Sequence, residues 1–257
     1  MHFGRSVGRA LKLSAIFVYA ALELIAKHPS TRQQRAEWLH HFCLRAIRWM
    51  GIAVRQQGPF PESGVVIANH LGYLDVIALA AVHRCVFVGK SEIRHWPLFG
   101  WMTTMSGTLY VKRGRGGSSE RAKDGMQEVS NAGLPLVFFP EGTTSLGDTV
   151  LPFHSGLLSQ AMEAGQPVTA VHIRYRLTQY NGPNLSLADV CFWDDTLLAI
   201  HIFRMLALRG IAVELCFADE PIAFSDAAAG ERRIAAHEAR AAVLQLREAT
   251  DAEPVVP

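Results

Sequence analysis

The stretch 64-GVVIANHLGYLDVIALAAV-82 decides how the rest of the chain is read. Gly64 to Asn69 is a short apolar run without alternation, which is the pattern of a strand covered on both faces. Asp75 to Val82 is longer, apolar and rich in Ala and Leu, which suits a helix. Between them, Asn69-His70-Leu71-Gly72-Tyr73-Leu74-Asp75 makes a polar turn. A strand that feeds a helix through such a turn is the repeating unit of an α/β sheet, and functional groups collect at the carboxyl ends of its strands.

Outward from this unit the alternation continues. Further strands are expected at 85–90, 108–113, 134–140, 167–177, 187–193 and 211–218. Helices are expected at 118–131 (with Gly133 closing it), 157–164, 196–208 and 228–249, and residues 91–107 read as helical or irregular. The fold class that follows is α/β, a mixed and largely buried β-sheet flanked by helices. No internal repeat and no linker divides it. We expect residues 1–55 to be N-terminal membrane-associating helices, 56–250 to be the main domain and 251–257 to be a tail.

The first 60 residues differ from the rest. They carry nine Lys and Arg against Glu23 and Glu37, a net of +7, whereas the remainder carries 16 cations and 21 carboxylates, a net of −5. Such a split points to an anionic surface facing the N-terminal part. Residues 11–26, LKLSAIFVYAALELIA, are short for a membrane span and lack a cleavage site. They read as an interfacial or re-entrant helix. After Pro29, Trp38, Leu39, Phe42, Cys43, Ala46, Ile47 and Met50 recur at helical spacing, and Gly51 ends the run. The pair reads as an amphipathic, basic, membrane-binding appendage, or else as two helices packed on the main domain. Nucleic acid is not an expected partner, because no recognition motif accompanies the cations.

With 49% hydrophobic and 19% charged residues among 257, the chain is too apolar and too weakly charged to be disordered, yet no window supports repeated membrane spans. Cys43, Cys85, Cys191 and Cys216 lie apart in apolar runs, so they read as reduced core thiols of a cytosolic protein. His40-His41 lacks a further ligand at metal spacing, Gly89-Lys90-Ser91 lacks the glycine cradle of a P-loop, and Gly114-Arg115-Gly116-Gly117 reads as a loop.

His70 and Asp75 carry the strongest chemical signal. Five residues across a glycine turn let a carboxylate hold one imidazole nitrogen, fix the tautomer and stabilise the charge that His gains as a base. No GxSxG elbow supplies a protein nucleophile, so the proton would come from a substrate hydroxyl. The residues alone equally permit Asp75 as a helix N-cap and His70 as a loop residue.

Three motifs in order change that balance: NHxxxxD (69–75), GTLYVKR (107–113) and FPEGTTS (139–145). Together with 89-GKSEIRHWPLFGWM-102 and 153-FHSG-156 they resemble the glycerolipid acyltransferase family, the one containing 1-acyl-glycerol-3-phosphate acyltransferases, over about residues 60–220. The resemblance implies His70 as general base, Asp75 as its orienting partner, and Arg113 with Lys112 holding an anionic head group. It implies that Glu141 and Gly142 shape the acceptor site, with Thr143, Thr144 and Ser145 completing the substrate-binding residues. The implied donor is acyl-CoA or acyl-ACP. No cofactor and no metal are expected, and the partners are membrane lipids and a lysophospholipid acceptor at the cytoplasmic face of the membrane. The expected activity is acyl transfer to a lysophospholipid, first of all 1-acyl-sn-glycerol-3-phosphate, giving phosphatidic acid.

The departures concern the acceptor. Thr144 stands where the phosphate-accepting members usually carry Arg, and the fourth motif keeps only Pro167 of two prolines. Phe192 to Arg204 is similar to a stretch of ornithine-lipid-type acyltransferases, so lyso-ornithine lipid is the competing acceptor. A thioesterase using the same pair on water, and a non-catalytic lipid-binding module, are the competing classes.

Overall fold

The computed structural model describes residues 2–96, 99–111 and 117–252. Two long helices open the chain, α1 (His2–Lys27) and α2 (Arg32–Met50). The Thr31 side chain accepts from Gln34 N at the start of α2, and Gln34 Oε1 accepts from Thr31 N. This reciprocal cap satisfies two otherwise orphaned amides. Gly51, at φ 66°, turns the chain out of α2 in the left-handed region that glycine enters without penalty.

Seven strands then form one sheet in the order β1-β7-β6-β2-β5-β3-β4. They are β1 (Ala53–Gln57), β2 (Val65–Ala68), β3 (Val86–Lys90), β4 (Leu109–Val111), β5 (Leu136–Phe138), β6 (Val168–Leu177) and β7 (Ile211–Phe217). β2 to β6 run parallel, while β7 is antiparallel to β6 and carries β1 parallel to itself at the edge. The connecting helices are α3 (Tyr73–Val82), α4 (Phe99–Met105), α5 (Gly117–Asn131), α6 (Gly156–Glu163), α7 (Leu198–Met205), α8 (Asp226–Gly230) and α9 (Arg232–Ala252).

The period-two alternation of β2 explains its apolar run. Val66 and Ala68 pack with α1, α2 and α3 on one face, and Val65 and Ile67 with α5, α6 and α9 on the other. The apolar face of α2, Trp38 to Met50, is wholly buried in the first of these layers and is not offered to a membrane. An apolar stripe does remain exposed on α1: Phe3, Leu11, Val18, Leu22 and Ile25. Its cations are largely engaged within the protein. The Arg5 and Arg9 guanidinium groups donate to the carbonyls of Leu206, Ala207 and Leu208 just past α7, and Glu23 pairs with Lys27 and Arg45. No described helix is long and apolar enough to cross a membrane.

Two expectations fail. Residues 187–193 form a short 3₁₀ turn (Leu187–Asp189) and a loop, not a strand, because they lie across the end of the sheet over the turn that follows β2. The edge strand β1, in a stretch with no apolar run, was not expected, and it straddles the boundary drawn at residue 55. The C-terminal helix starts and ends a few residues later than read, at Arg232 and Ala252, and is preceded by the short α8.

Candidate active site

β2 and β5 are neighbours, paired Ile67 to Phe138, so the segments leaving their carboxyl ends meet. Asn69 extends the β2 edge toward β6: its Nδ2 donates to Ile173 O at 2.9 Å and its Oδ1 accepts from Ile173 N at 2.7 Å. This two-bond bracket fixes where the next residue, His70, begins.

His70 is held on every side but one. Its Nδ1 lies 2.8 Å from Asp75 Oδ2, and its ring stacks on Phe139 at 3.9 Å between centroids with 10° between planes. Its backbone N–H donates to Glu141 Oε2 (3.1 Å) and its carbonyl accepts from Ser145 N (2.9 Å). One fifth of the side chain stays exposed, whereas Asp75 is fully buried. Asp75 Oδ2 also accepts from Leu71 N (2.7 Å) and Gly72 N (3.0 Å), and Oδ1 accepts from the Tyr175 hydroxyl. A buried carboxylate is tolerated only where donors surround it, and here all four neighbours donate. The geometry therefore joins both readings of Asp75, which binds the imidazole and caps the start of α3 at once.

Glu141 is buried and braces the turn from below. Its Oε1 accepts from Leu151 N at 2.8 Å while Oε2 accepts from His70 N. Burial pushes its carboxyl up to about 7, and the Asp75 charge adds to this, against the two amides and Arg240, which pull it down. Its described bonds thus go to the protein backbone. Gly142, at φ 67°, gives its amide to Phe139 O, and the Ser145 amide is committed to His70 O. Ser145 Oγ accepts from Gly147 N at 3.3 Å. Thr143 is exposed and Thr144 half-buried on the same turn. Lys112 and Arg113 lie outside the described residues, as does Arg115.

The loop over this turn is a second support that the sequence did not reveal. Phe192 N donates to Leu71 O at 2.8 Å, and a Cβ at Gly72 would stand 3.1 Å from Phe192 N. Buried His201 on α7 bonds the Tyr73 hydroxyl (3.2 Å) and Cys191 O (2.8 Å), and the Tyr73, Phe192 and His201 rings pack mutually. His40 bonds Ala80 O at 2.8 Å and so ties α2 to α3. Among the described residues no group of His, Cys, Asp or Glu is placed to hold a metal ion.

Residues 51–174 match the family model described as Acyltransferase. A lyso-ornithine lipid O-acyltransferase of Pseudomonas aeruginosa is 36% identical over 170 residues, 66% of this chain and 62% of that protein. A 1-acyl-sn-glycerol-3-phosphate acyltransferase of Neisseria gonorrhoeae is 32% identical over 192 residues, 72% of this chain and 70% of that protein. The crystal structure of the 1-acyl-sn-glycerophosphate acyltransferase of Thermotoga maritima superposes with a TM-score of 0.67 over 99% of this chain and all of the other, at 19% identity, so the fold is shared end to end. The matched region begins at the end of α2 and runs through the His70 turn, the Glu141 turn and most of β6, and on that evidence this chain belongs to the acyltransferase family.

Proposed function

We propose that this protein transfers a fatty acyl group from an acyl thioester, acyl-CoA or acyl-ACP, to the free hydroxyl of a lysophospholipid. The observation that carries the reading is the His70–Asp75 pair: Nδ1 is bound to a buried carboxylate while the ring keeps an exposed edge, so Nε2 is left for substrate. Nε2 takes the proton of the acceptor hydroxyl as its oxygen attacks the thioester carbonyl. The tetrahedral oxyanion collapses, the C–S bond breaks, and the imidazolium returns its proton to the leaving thiolate. Asp75 holds the tautomer and stabilises the imidazolium. Backbone amides of the Glu141 turn are suited to the oxyanion, and Thr143, Thr144 and Ser145 add hydroxyl donors. Lys112 and Arg113 hold the anionic head group. No metal is needed.

The first acceptor in this reading is 1-acyl-sn-glycerol-3-phosphate, with phosphatidic acid as product. Lyso-ornithine lipid is the second. It is favoured by Thr144, which removes a cation from the Glu141 turn, and by the 192–204 segment, which the structure lays on the catalytic turn. We place the protein at the cytoplasmic face of the membrane, held there by the exposed stripe of α1 and by Leu197, Ile200 and Phe203 of the α7 region, whose Phe203 ring meets Phe3 at 5.8 Å. The test is thiol release from acyl-CoA in mixed micelles, with lysophosphatidic acid, lyso-ornithine lipid and lysophosphatidylethanolamine offered separately. Release with lysophosphatidic acid alone supports the first acceptor, and release with the amino-lipid alone supports the second. Release without any acceptor makes the protein a hydrolase and overturns the proposal.

A further inference from the structure

The sequence motifs account for His70 and Asp75 but leave Asp75 Oδ1 without an assigned partner. That partner comes from β6, a hundred residues away: the Tyr175 hydroxyl donates to Oδ1. Tyr175 is buried, its ring packs in the layer between the sheet and α1 to α3, and its register is fixed two residues earlier by the Asn69–Ile173 bracket. The carboxylate is thereby pinned at both oxygens. Leu71 N, Gly72 N and the imidazole hold Oδ2, and the phenol holds Oδ1. With Oδ2 alone held, the carboxylate could rotate about its Cβ–Cγ bond and take its oxygen out of line with Nδ1.

We infer that Tyr175 is a positioning residue of the reaction, a third member behind the His–Asp pair, which locks the Asp75 carboxylate so that His70 keeps the tautomer and orientation a general base needs. The inference rests on His70 acting as that base. Burial and the facing carboxylate push the phenol well up, so it remains a donor throughout the working pH range. The other titratable groups whose charges reach this cluster are Glu141 and Cys191, which interact with Asp75, and Tyr73, which interacts with Tyr175.

Tyr175→Phe removes the hydroxyl and keeps the ring. A hydrogen bond to a charged group corresponds to about ten- to hundredfold in an equilibrium, so kcat should fall by about tenfold or more while KM for both substrates stays within about twofold. Without that donor the carboxylate is easier to protonate, so the acid limb of the pH–rate profile should move to higher pH. In an Asp75→Asn background the same substitution should have almost no further effect, because Tyr175 acts only through Asp75. A structural role would instead lower the melting temperature and add independently to Asp75→Asn. Wild-type kcat and pH profile in Tyr175→Phe, or full additivity with Asp75→Asn, overturns the inference. His70→Ala is measured alongside. If it stays active the general-base reading itself fails, whereas an inactive His70→Ala with a wild-type-like Tyr175→Phe refutes only the role of Tyr175.

Discussion

Replacing Glu141 by Gln keeps the side chain's shape and removes its charge and one acceptor. In the folded protein the carboxyl sits at about 7 instead of its ordinary 4.5, so the folded state holds the proton more tightly than the unfolded chain. The stability this contributes is complete below about pH 4.5 and is lost as pH rises through about 7. Between pH 8 and pH 5 the wild type should therefore gain about 2.5 kcal/mol from this group. Gln cannot titrate. It also has one oxygen for two backbone amides, so either His70 N or Leu151 N faces an NH₂, at a pH-independent cost of about 1–3 kcal/mol. The gap in melting temperature between wild type and Glu141→Gln should widen by roughly 5–10 °C from pH 8 to pH 5, at roughly 2–4 °C per kcal/mol for a chain of this size. Thermal melts at pH 5, 6, 7 and 8 measure this, and acyl transfer at pH 7.5 should fall because His70 loses its brace. A gap that is the same at every pH would refute the titration. Full activity would refute the bracing role.

Other substitutions address the supports of the His70 turn. Asn69→Ala strands both polar groups of Ile173, so urea denaturation should show a loss of about 2–3 kcal/mol. Gly72→Ala sets a Cβ 3.1 Å from Phe192 N and 3.2 Å from Phe192 Cβ, so the loop should lift and limited proteolysis should cut within 189–197 faster than in wild type. Joint replacement of Arg5 and Arg9 by Ala removes guanidinium donors from the carbonyls at 206–208. Hydrogen exchange should then show the amides of α1 and α7 opening by about 2 kcal/mol more easily, with the His70 turn unaffected.

The strand-turn-helix unit from Gly64 to Val82 was legible because a strand buried on both faces has one signature, a short apolar run, and β2 and β5 both show it. β1 was not legible: every residue of Ala53–Gln57 except Val54 is exposed and the strand lies at the sheet edge, so its polar residues read as a connection. The basic bias of the first 60 residues was plain, but its use was not. Arg5 and Arg9 find carbonyls some two hundred residues on, and spacing cannot announce such partners. The apolar periodicity of α2 correctly marked a buried face without saying what buries it. At the site, local spacing disclosed His70 and Asp75, while Tyr175 and the Phe192–His201 support depend on sheet order and on a loop that looked like a strand.

In the proposed reaction an acceptor hydroxyl gives its proton to His70. The most direct test of this step is acceptor-dependent thiol release from acyl-CoA by purified wild type and by His70→Ala, each confirmed folded by its melt. With His70 as the base, the wild type should release thiol only when a lysolipid is present, and His70→Ala should lose that release by at least about 100-fold, the lower range of general-base catalysis. Undiminished transfer by His70→Ala would contradict that role.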